Sequence, residues 1–269
     1  MKICIVGIGK MGAWLASELA KEHVVSVYDE DISKCRKLQG VKILNEPDQI
    51  KNIAPQLLIN SVSLQNTIAS FRAILPHLPK DCMLCDVASV KTDLPAFYRE
   101  AGYRFVSLHP MFGPTFATLT DLRHENAVII RDSNDEGKEF FHKFFQRLGV
   151  NLFEYSFSEH DVMMAYSLTL PFVSSMVFSS CVSTDTVPGT TFKRHLDVAR
   201  GLLSEDDFLL AEIIFNPHSL AQLEKINSRL NFLWHIVKNR DTDEALRFFK
   251  TLRENIQLST GENVNKDKC

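Results

Sequence analysis

Short apolar runs alternate with amphipathic segments along the first 130 residues of the chain. The runs are rich in Val, Ile and Leu and have the length of buried strands. They lie at 2–6, 24–28, 57–61, 83–87, 105–108 and 127–130. Between them, segments such as 11–21 and 64–75 repeat apolar residues with helical spacing. This alternation predicts an α/β fold with a mostly parallel, doubly wound sheet and helices on both of its faces.

The pattern changes after about residue 157, beyond which no strand-like run occurs. Ser158 and Asp161 have the spacing of a capping box and predict the start of a long apolar helix, in which Pro171 introduces a kink. We therefore predict an α/β domain at 1–156, an all-helical domain at 157–258 and a flexible tail at 259–269.

Two late helical segments carry apolar faces, at 220–237 and 245–258. Such faces fit either a contact with a second subunit or the core of a monomer. Both alternatives stay open at the level of the sequence.

Composition narrows the classes of function. The net charge is −3 and no run of Lys or Arg occurs, so nothing points to nucleic acid or a membrane surface as a partner. No stretch reaches the roughly 18 uninterrupted apolar residues of a membrane span. The six scattered cysteines are too few for a disulfide scaffold, which indicates free thiols in a reducing cytoplasm.

Cys82 and Cys85 form a C-x-x-C pair, for which zinc binding or redox chemistry is the alternative to a structural role. They lie in a run that predicts a buried strand, where residues three apart point to opposite faces of the sheet. No second pair completes a tetrahedral site. We therefore expect both thiols to be structural.

A glycine motif follows the first predicted strand and opens the first predicted helix. Its residues are Gly7, Ile8, Gly9, Lys10, Met11 and Gly12. In this G-x-G-x-x-G context Gly7 makes a tight turn, Gly9 admits a pyrophosphate, and Gly12 lets the helix pack on the sheet. Asp29 ends the second strand and is expected to accept hydrogen bonds from a ribose. The motif thus predicts a Rossmann-type domain that binds NAD, with NADP less favoured because its 2′-phosphate would meet Asp29.

Ser61 and Val62 come at the carboxyl end of the third clear strand. In doubly wound folds this edge of the sheet faces the ligand, so these residues are candidates for the nicotinamide end of the cofactor. Residues of this kind also simply terminate strands, and the sequence does not decide between the two interpretations.

Two further strand ends carry side chains suited to oxidising an alcohol. His109 follows the strand at 105–108, and an imidazole that titrates near neutrality can take a hydroxyl proton as hydride leaves the same carbon. Ser89 lies after the strand at 83–87 and can bond the same hydroxyl. Pro110 and Pro114 are expected to stiffen the loop around the histidine.

With these pieces the sequence resembles the prephenate/arogenate dehydrogenase family of tyrosine biosynthesis. The resemblance rests on the glycine motif, Asp-Val-Ala-Ser-Val-Lys at 86–91, His-Pro-Met-Phe-Gly-Pro at 109–114 and Ser-Glu-His-Asp at 158–161, in the family's order. It implies NAD-dependent oxidative decarboxylation of a cyclohexadienol, with hydride leaving ring C4 and His109 as proton acceptor. Ser89 would lie beside His109, no metal is required, and the helical domain would form a homodimer.

The chain also departs from the family's pattern. Many members carry histidines early in the first long helix, where this chain has Thr169 and the apolar residues after it. Many bind a ring carboxylate with an arginine, where this chain has Asp197. Arg194 and Arg200 lie three residues to either side, and a guanidinium suits a carboxylate, so either can substitute. His195 is a weaker candidate for substrate contact.

Two other functions compete with this interpretation. A β-hydroxyacid-type dehydrogenase usually relies on a lysine in its helical domain, but no lysine lies between Lys143 and Lys193. A catalytically impaired, nucleotide-binding regulatory paralogue fits Asp197 and the missing histidines, although Ser89 and His109 are intact. The sequence leaves open whether the substrate is prephenate, arogenate or a modified prephenate.

Overall fold

The computed structural model describes residues 1–113, 121–183 and 187–260. Pro114, expected to stiffen the His109 loop, lies outside the described residues. So does the predicted tail, except for the two residues that complete the last helix.

Within the residues that the structure describes, eight strands form one sheet, which confirms the predicted α/β fold. The strands are β1 Lys2–Val6, β2 Val24–Tyr28, β3 Lys42–Ile43, β4 Leu57–Asn60, β5 Met83–Asp86, β6 Phe105–Pro110, β7 Asn126–Ile130 and β8 Asn151–Tyr155. Their order across the sheet is β3-β2-β1-β4-β5-β6-β7-β8. Neighbours run parallel except β6 and β7, which are antiparallel.

All six predicted strands are present, with ends shifted by at most two residues. The sequence interpretation missed β3, which has only two residues, and β8, which lies at the edge of the sheet. Neither is a fully buried apolar run: β8 has two exposed and three half-buried positions. Edge strands need not carry the continuous Val and Ile pattern by which the central parallel strands were recognised.

Twelve α-helices connect or follow the strands within the described residues. They are α1 Lys10–Leu19, α2 Ile32–Cys35, α3 Ile50–Ile53, α4 Thr67–Ile74, α5 Leu94–Ala101, α6 Asp135–Arg147, α7 Phe157–Met164, α8 Leu170–Ser180, α9 Thr190–Leu202, α10 Asp207–Ile214, α11 Ser219–Asn239 and α12 Thr242–Thr260. From residue 157 onward the described part of the chain contains helices and turns alone, as the sequence predicted.

Two apolar clusters cover the two faces of the sheet. Side chains from α1 and α6, among them Trp14 and Phe141, pack on one face. Side chains from α4 and α5, among them Phe71, pack on the other. Cys85 belongs to the first cluster and Cys82 to the second, which confirms that the two thiols point to opposite faces. Both are free and buried.

The strand order reverses direction between β1 and β4, which are neighbours in the sheet. The helix after β1 packs on one face and the helix after β4 on the other. Loops that leave adjacent strands toward opposite faces open a crevice at the carboxyl edge of the sheet, where doubly wound folds bind their ligands. A ligand site is therefore expected at the carboxyl ends of β1, β4, β5 and β6.

The first long helix begins with a different capping box from the predicted one. The Ser156 hydroxyl accepts from the Glu159 N–H, and the Glu159 carboxylate accepts from the Ser156 N–H. The expected pair, Ser158 with Asp161, is therefore wrong by two residues, because Asp161 is turned into the interior. Between α7 and α8 the helix passes through a π turn at Ala165–Thr169, which ends two residues before Pro171. The sequence predicted a kink at Pro171, and the structure has a π turn shortly before the proline.

The helical segment Phe157–Ser180 is long and apolar enough to cross a membrane by length and composition. The segment contains no uninterrupted apolar run of that length, because serines, threonines, His160 and Asp161 lie within it. One third of its most apolar window is buried in the protein, and both His160 and Asp161 are buried and hydrogen-bonded. The core helix of a folded domain passes the same composition test.

The chain divides into two compact units, Met1–Leu220 and residues 221–269. The first unit holds the sheet and all helices up to α10. In the second unit, Phe232 of α11 and Phe248 of α12 meet edge to face with ring centroids 5.2 Å apart. Trp234 of α11 is 59% exposed. The domain boundary at 156/157 stays a prediction.

We predict that Gly137→Ala destabilises the fold. A Cβ atom at Gly137 would lie 2.6 Å from the Met83 Sδ and 2.9 Å from the Val106 Cβ, so α6 packs on the sheet through bare backbone. Overpacking of this kind costs about 1–3 kcal/mol, which exceeds the roughly 1 kcal/mol that alanine gains in a helix. Urea unfolding measures the difference. Gly113→Ala is the control, because no atom lies within 4 Å of its added Cβ; equal stability of both variants would contradict the prediction.

Candidate active site

The glycine turn between β1 and α1 is built of backbone that no side chain can replace. Gly7 has φ +85° and donates its N–H to the Tyr28 carbonyl at 2.9 Å. A Cβ atom on Gly7 would lie 2.5 Å from the Val62 nitrogen, and one on Gly12 would lie 2.0 Å from the Gly7 carbonyl oxygen. Glycine is thus required at position 7 by the positive φ and by the neighbouring loop. At position 12 it is required by the close packing of α1 on the turn.

Gly9 differs from the other two glycines because open space surrounds it. No atom lies within 4 Å of the position that its Cβ would take. Gly9 is also the N-cap of α1, and no side chain caps the helix there. The first N–H groups of α1 are oriented toward this space, together with the positive end of the helix dipole. This arrangement suits a phosphate group that approaches the backbone closely.

Asp29 lies next to the glycine turn. Its carboxylate accepts the Ile8 N–H at 2.6 Å through Oδ2. Through Oδ1 it accepts the Asp31 N–H at 2.8 Å and faces the Lys34 ammonium at 3.3 Å. The carboxylate is therefore fixed at the end of β2, where the sequence motif requires an acid. Lys34 places a cation beside this carboxylate.

Ser61 and Val62 also contact the turn. The backbone of both residues lies within 2.7 Å of the position of a Gly7 Cβ, and the Ser61 hydroxyl is 3.3 Å from that of a Gly12 Cβ. Their loop therefore borders the turn from the β4 side of the crevice. The role at the nicotinamide end stays a prediction.

His109 is the penultimate residue of β6 and is 8% exposed. The sequence interpretation placed it in a loop after the strand, but it is paired with Val128 of β7. Being held in the sheet fixes the backbone of the histidine more firmly than a proline-containing loop would. Because β1, β4, β5 and β6 are parallel neighbours, His109 and the glycine turn share one edge of the sheet. Three strand spacings separate them, roughly 14 Å.

A buried relay of hydrogen bonds ends at His109. The His109 Nδ1 is 3.0 Å from the His160 Nε2, and the His160 Nδ1 is 3.1 Å from the Asp161 Oδ1. Asp161 also accepts the Lys91 N–H at 3.0 Å and the Thr92 hydroxyl at 3.0 Å. His160 has no exposed surface.

The chemistry of these groups fixes the direction of the relay. An ionised carboxylate accepts hydrogen bonds and has none to donate, so the His160 Nδ1 carries the proton toward Asp161. In neutral His160 the Nε2 is then an acceptor, and the His109 Nδ1 must donate to it. The remaining His109 nitrogen, Nε2, is left with a lone pair. The arrangement therefore makes His109 Nε2 a proton acceptor.

Burial and neighbouring charges keep both imidazoles neutral. Burial is the largest cause that holds the pKa of His109 well below its usual value of 6.5, followed by His160 and the Lys91 ammonium. Burial also lowers the pKa of His160, against the opposing effect of its hydrogen bond to Asp161. For Asp161, burial alone would raise the pKa, but the hydrogen bonds from His160, Lys91 and Thr92 together lower it. The acid of the relay is thus ionised and the bases are unprotonated.

A buried ion pair lies next to the relay. Lys91 and Asp86 have no exposed surface, and the Lys91 ammonium donates to the Asp86 carboxylate. The same ammonium donates to the Leu108 carbonyl at 2.6 Å. Asp86 is further held by the Tyr98 hydroxyl at 2.7 Å and the Ala88 N–H at 3.1 Å. Burial is the largest cause that lowers the pKa of Lys91, and Asp86 opposes it.

Ser89 lies on the loop after β5, between Asp86 and Lys91, and is half-buried. Within the described residues no hydrogen bond joins it to His109. The predicted pairing of Ser89 and His109 around a substrate hydroxyl stays a prediction.

The residues predicted to bind substrate have different environments. Arg200 is paired with Asp197 at 3.3 Å on the exposed surface of α9, and Arg194 is exposed on the same helix. His195 is exposed and its ring lies 5.7 Å from that of Phe178. Thr169 is fully buried, and its hydroxyl is 2.6 Å from that of Ser219. Substrate binding by these four residues stays a prediction.

A cleft of about 360 Å³ lies on the α4 side of the Ser89 loop. Its lining includes Ile68, Val90, Thr92 and Asn216. None of the residues predicted from the sequence as cofactor, catalytic or substrate ligands lines it. Thr92 and Asn216 do contact Asp161, so the cleft borders the relay.

The sequence interpretation missed four members of the site: Asp86, Lys91, His160 and Asp161. Asp161 was expected in a capping box, and no catalytic role was assigned to any of the four. A usable signal was present, because buried charges are rare unless they are paired, and both motifs place an acid beside a base. Pairing across 70 residues, as between Lys91 and Asp161, cannot be inferred from spacing.

Comparison with known proteins connects this geometry to a family. The family model described as prephenate dehydrogenase, nucleotide-binding domain, matches residues 15–151, just over half of the chain. The probable arogenate/prephenate dehydrogenase of Methanocaldococcus jannaschii is 23% identical over 266 residues, covering 91% of this chain and 58% of that protein. The T-protein of Enterobacter agglomerans is 26% identical over 193 residues, covering 68% of this chain and 51% of that protein. The chain thus spans little more than half the length of these two curated relatives.

Solved structures share the fold. The arogenate dehydrogenase of Synechocystis superposes with a TM-score of 0.76 at 20% identity, covering 96% of this chain and 100% of that one. The prephenate dehydrogenase of A. aeolicus, in complex with hydroxyphenyl propionate and NAD+, gives a TM-score of 0.81 at 17% identity, covering 96% and 97%. With the family model matched over more than half of its length, the chain belongs to the prephenate dehydrogenase family and carries its nucleotide-binding domain.

Proposed function

We propose that the chain is an NAD-dependent dehydrogenase that oxidatively decarboxylates prephenate, arogenate or a modified prephenate. The single observation that carries the proposal is the relay Asp161–His160–His109, which leaves an acceptor nitrogen at the same sheet edge as the glycine turn. Membership of the prephenate dehydrogenase family supports it, as does the fold shared with dehydrogenases named for these substrates.

The residues at the glycine turn fit a dinucleotide. Open space at Gly9, an uncapped helix start and a carboxylate at Asp29 provide room, a positive potential and a ribose acceptor. Asp29 favours NAD over NADP, since a 2′-phosphate would face a carboxylate. NAD, when bound, supplies the hydride acceptor of the reaction.

We predict that Gly9→Ala leaves the fold intact and weakens NAD binding. The added methyl group meets no protein atom, but it occupies the space that a pyrophosphate would need. Gly12→Ala is the matched comparison: its methyl group meets the Gly7 carbonyl, so both stability and binding should fall. Thermal unfolding measures stability, and titration of the protein with NAD, followed by protein fluorescence, measures binding. Undiminished NAD affinity in Gly9→Ala would exclude the turn as the cofactor site.

The side chains of the relay supply base catalysis. His109 Nε2 accepts the proton of the ring hydroxyl, while His160 and Asp161 hold the imidazole in the required tautomer and stabilise the cation that forms. Because His109 is almost fully buried, the transferred proton stays shielded from bulk water. Ser89 is the proposed partner of the same hydroxyl. Aromatisation of the ring drives loss of the carboxylate, so the protein need not stabilise a separate carbanion.

The test is turnover itself. The wild-type protein, mixed with NAD and prephenate or arogenate, should reduce NAD and release carbon dioxide, and His109→Gln should lower kcat on the order of 100-fold or more with NAD affinity unchanged. His142→Gln is the control, since His142 is partly exposed and pairs with Glu154 on the surface. Absorbance at the nicotinamide band and carbon dioxide release measure the reaction. NAD binding without turnover of either substrate would instead support a regulatory nucleotide-binding protein.

An arginine of α9 is the proposed ligand of the ring carboxylate. Arg194 and Arg200 are the guanidinium groups nearest in sequence to Asp197, and Arg200 already contacts that aspartate. We predict that Arg194→Ala or Arg200→Ala raises KM for prephenate at least tenfold, about 1.4 kcal/mol of lost charge-assisted hydrogen bonding. Arg253→Ala in α12 controls for loss of a surface charge. Steady-state kinetics measure KM. An unchanged KM in both α9 variants would contradict the proposal that one of these arginines binds the ring carboxylate.

A homodimer in the cytoplasm completes the proposal. Leu230, Trp234, Val237, Leu246 and Ile256 leave apolar surface exposed on α11 and α12. Several large apolar side chains exposed on two helices support a protein partner. Sedimentation velocity that returned only the monomer mass at micromolar concentration would contradict the dimer.

A further inference from the structure

Lys91 has no part in the proton transfer proposed above, yet it bonds Asp161 at one end of the relay and the residue before His109 at the other. Its ammonium donates to the Leu108 carbonyl, one residue before His109. Its own backbone N–H donates to Asp161, at the other end of the relay. A single residue thus bonds the strand that carries His109 and the helix that carries Asp161.

Stability alone does not account for a lysine at this position. Removing two charges from water costs several kcal/mol per ion, and apolar side chains of similar volume often serve a buried site equally well. Lys91 nevertheless has no exposed surface and lies beside an apolar cluster that includes Tyr98. The Asp86 carboxylate that pairs with it is itself held by Tyr98 and Ala88. The pair is therefore anchored on the β5 side and reaches across to β6.

We propose that Lys91 is a positioning residue for the reaction, which holds the end of β6 and the start of α7 at the separation that lets His109 bond His160. The inference rests on the proposed function, because it assigns to Lys91 a role in the chemistry of that site. It predicts that the ammonium, and not merely the volume of the side chain, is needed.

The charges around His109 give the proposal an electrostatic signature. The ionisable groups that face the relay are Lys91 and Asp86 from the β5 side, Tyr98 from α5, and His160 and Asp161 from α7; β7 contributes Val128 opposite His109. Lys91 adds to the effect of burial in lowering the pKa of both His109 and His160. Removal of the Lys91 charge therefore raises the pKa of His109, so protonation of His109 begins at a higher pH. Asp86 raises the pKa of His160 and is not among the causes for His109, so the upward shift of the His109 pKa is expected when both charges are removed.

The experiment compares Lys91→Met with the double variant Lys91→Met/Asp86→Asn. The single variant leaves a carboxylate buried without its cation, which threatens folding. The double variant removes both charges and nearly keeps the volume. The amide oxygen introduced at position 86 can still accept the Ala88 N–H, and the amide NH2 group then faces the Tyr98 hydroxyl, which can accept in place of donating. Lys143→Met is the control, because Lys143 is an exposed lysine paired with Glu139 on α6.

In the double variant we expect kcat to fall on the order of 100-fold through displacement of the base, with the affinity for NAD unchanged. The acid limb of the pH profile of kcat/KM should move to higher pH. Lys143→Met should match the wild type in both measurements. Equal loss at every pH, with no movement of the acid limb, would reduce Lys91 to a structural residue, and an unchanged kcat would overturn the proposal outright.

A second readout does not depend on turnover. In 15N-histidine-labelled wild type, His109 should remain neutral well below pH 6.5, and in the double variant its titration should move upward; His109→Gln assigns the resonance. Ordinary titration of His109 in the wild type would contradict the proposal without any variant. If the wild type turned over neither substrate, the proposed function would fail, while the titration would still test Lys91.

Discussion

The acceptor-only carboxylate of Asp161 is the constraint on which the site depends. Three donors converge on it: the His160 imidazole, the Lys91 N–H and the Thr92 hydroxyl. Because it has no proton to give, every hydrogen bond that leads away from it has a fixed direction, as far as the free nitrogen of His109. The side-chain amide of Asn216 donates to the Asp161 carbonyl, so the start of α7 is held by main chain as well as by side chain.

The two ends of the crevice, the glycine turn and the histidine relay, are built from different groups. The glycine turn is bare backbone, and its N–H groups border open space because Gly9 has no side chain. The histidine end uses side chains that are buried, neutral and mutually hydrogen-bonded. The sheet makes the two compatible, since parallel strands bring the ends of β1, β4, β5 and β6 to one edge.

Much of the α/β fold could be predicted because its central strands are buried on both faces and carry unbroken apolar runs. The same rule failed for β8, an edge strand whose side chains are partly exposed. Spacing rules failed at the start of α7, where Ser156 with Glu159 and Ser158 with Asp161 offer two similar patterns. The interior decides between them, because Asp161 is required there to accept Lys91, a contact between residues 70 positions apart. His109 was found from its strand-end position, whereas its partners depend on tertiary contacts that no local pattern encodes.

The π turn at Ala165–Thr169 has a consequence for comparing this chain with its relatives. It closes with one more residue than an α-helical turn, so every residue from Leu170 onward is rotated by about 100° relative to a regular helix counted from Met164. Equivalence assigned by counting along the chain then pairs side chains from different sides of the helix. The lack of a histidine at 169–172 therefore does not show which residue types line the same face of the helix in the relatives. The face of α8 has to be compared with theirs by superposing the structures.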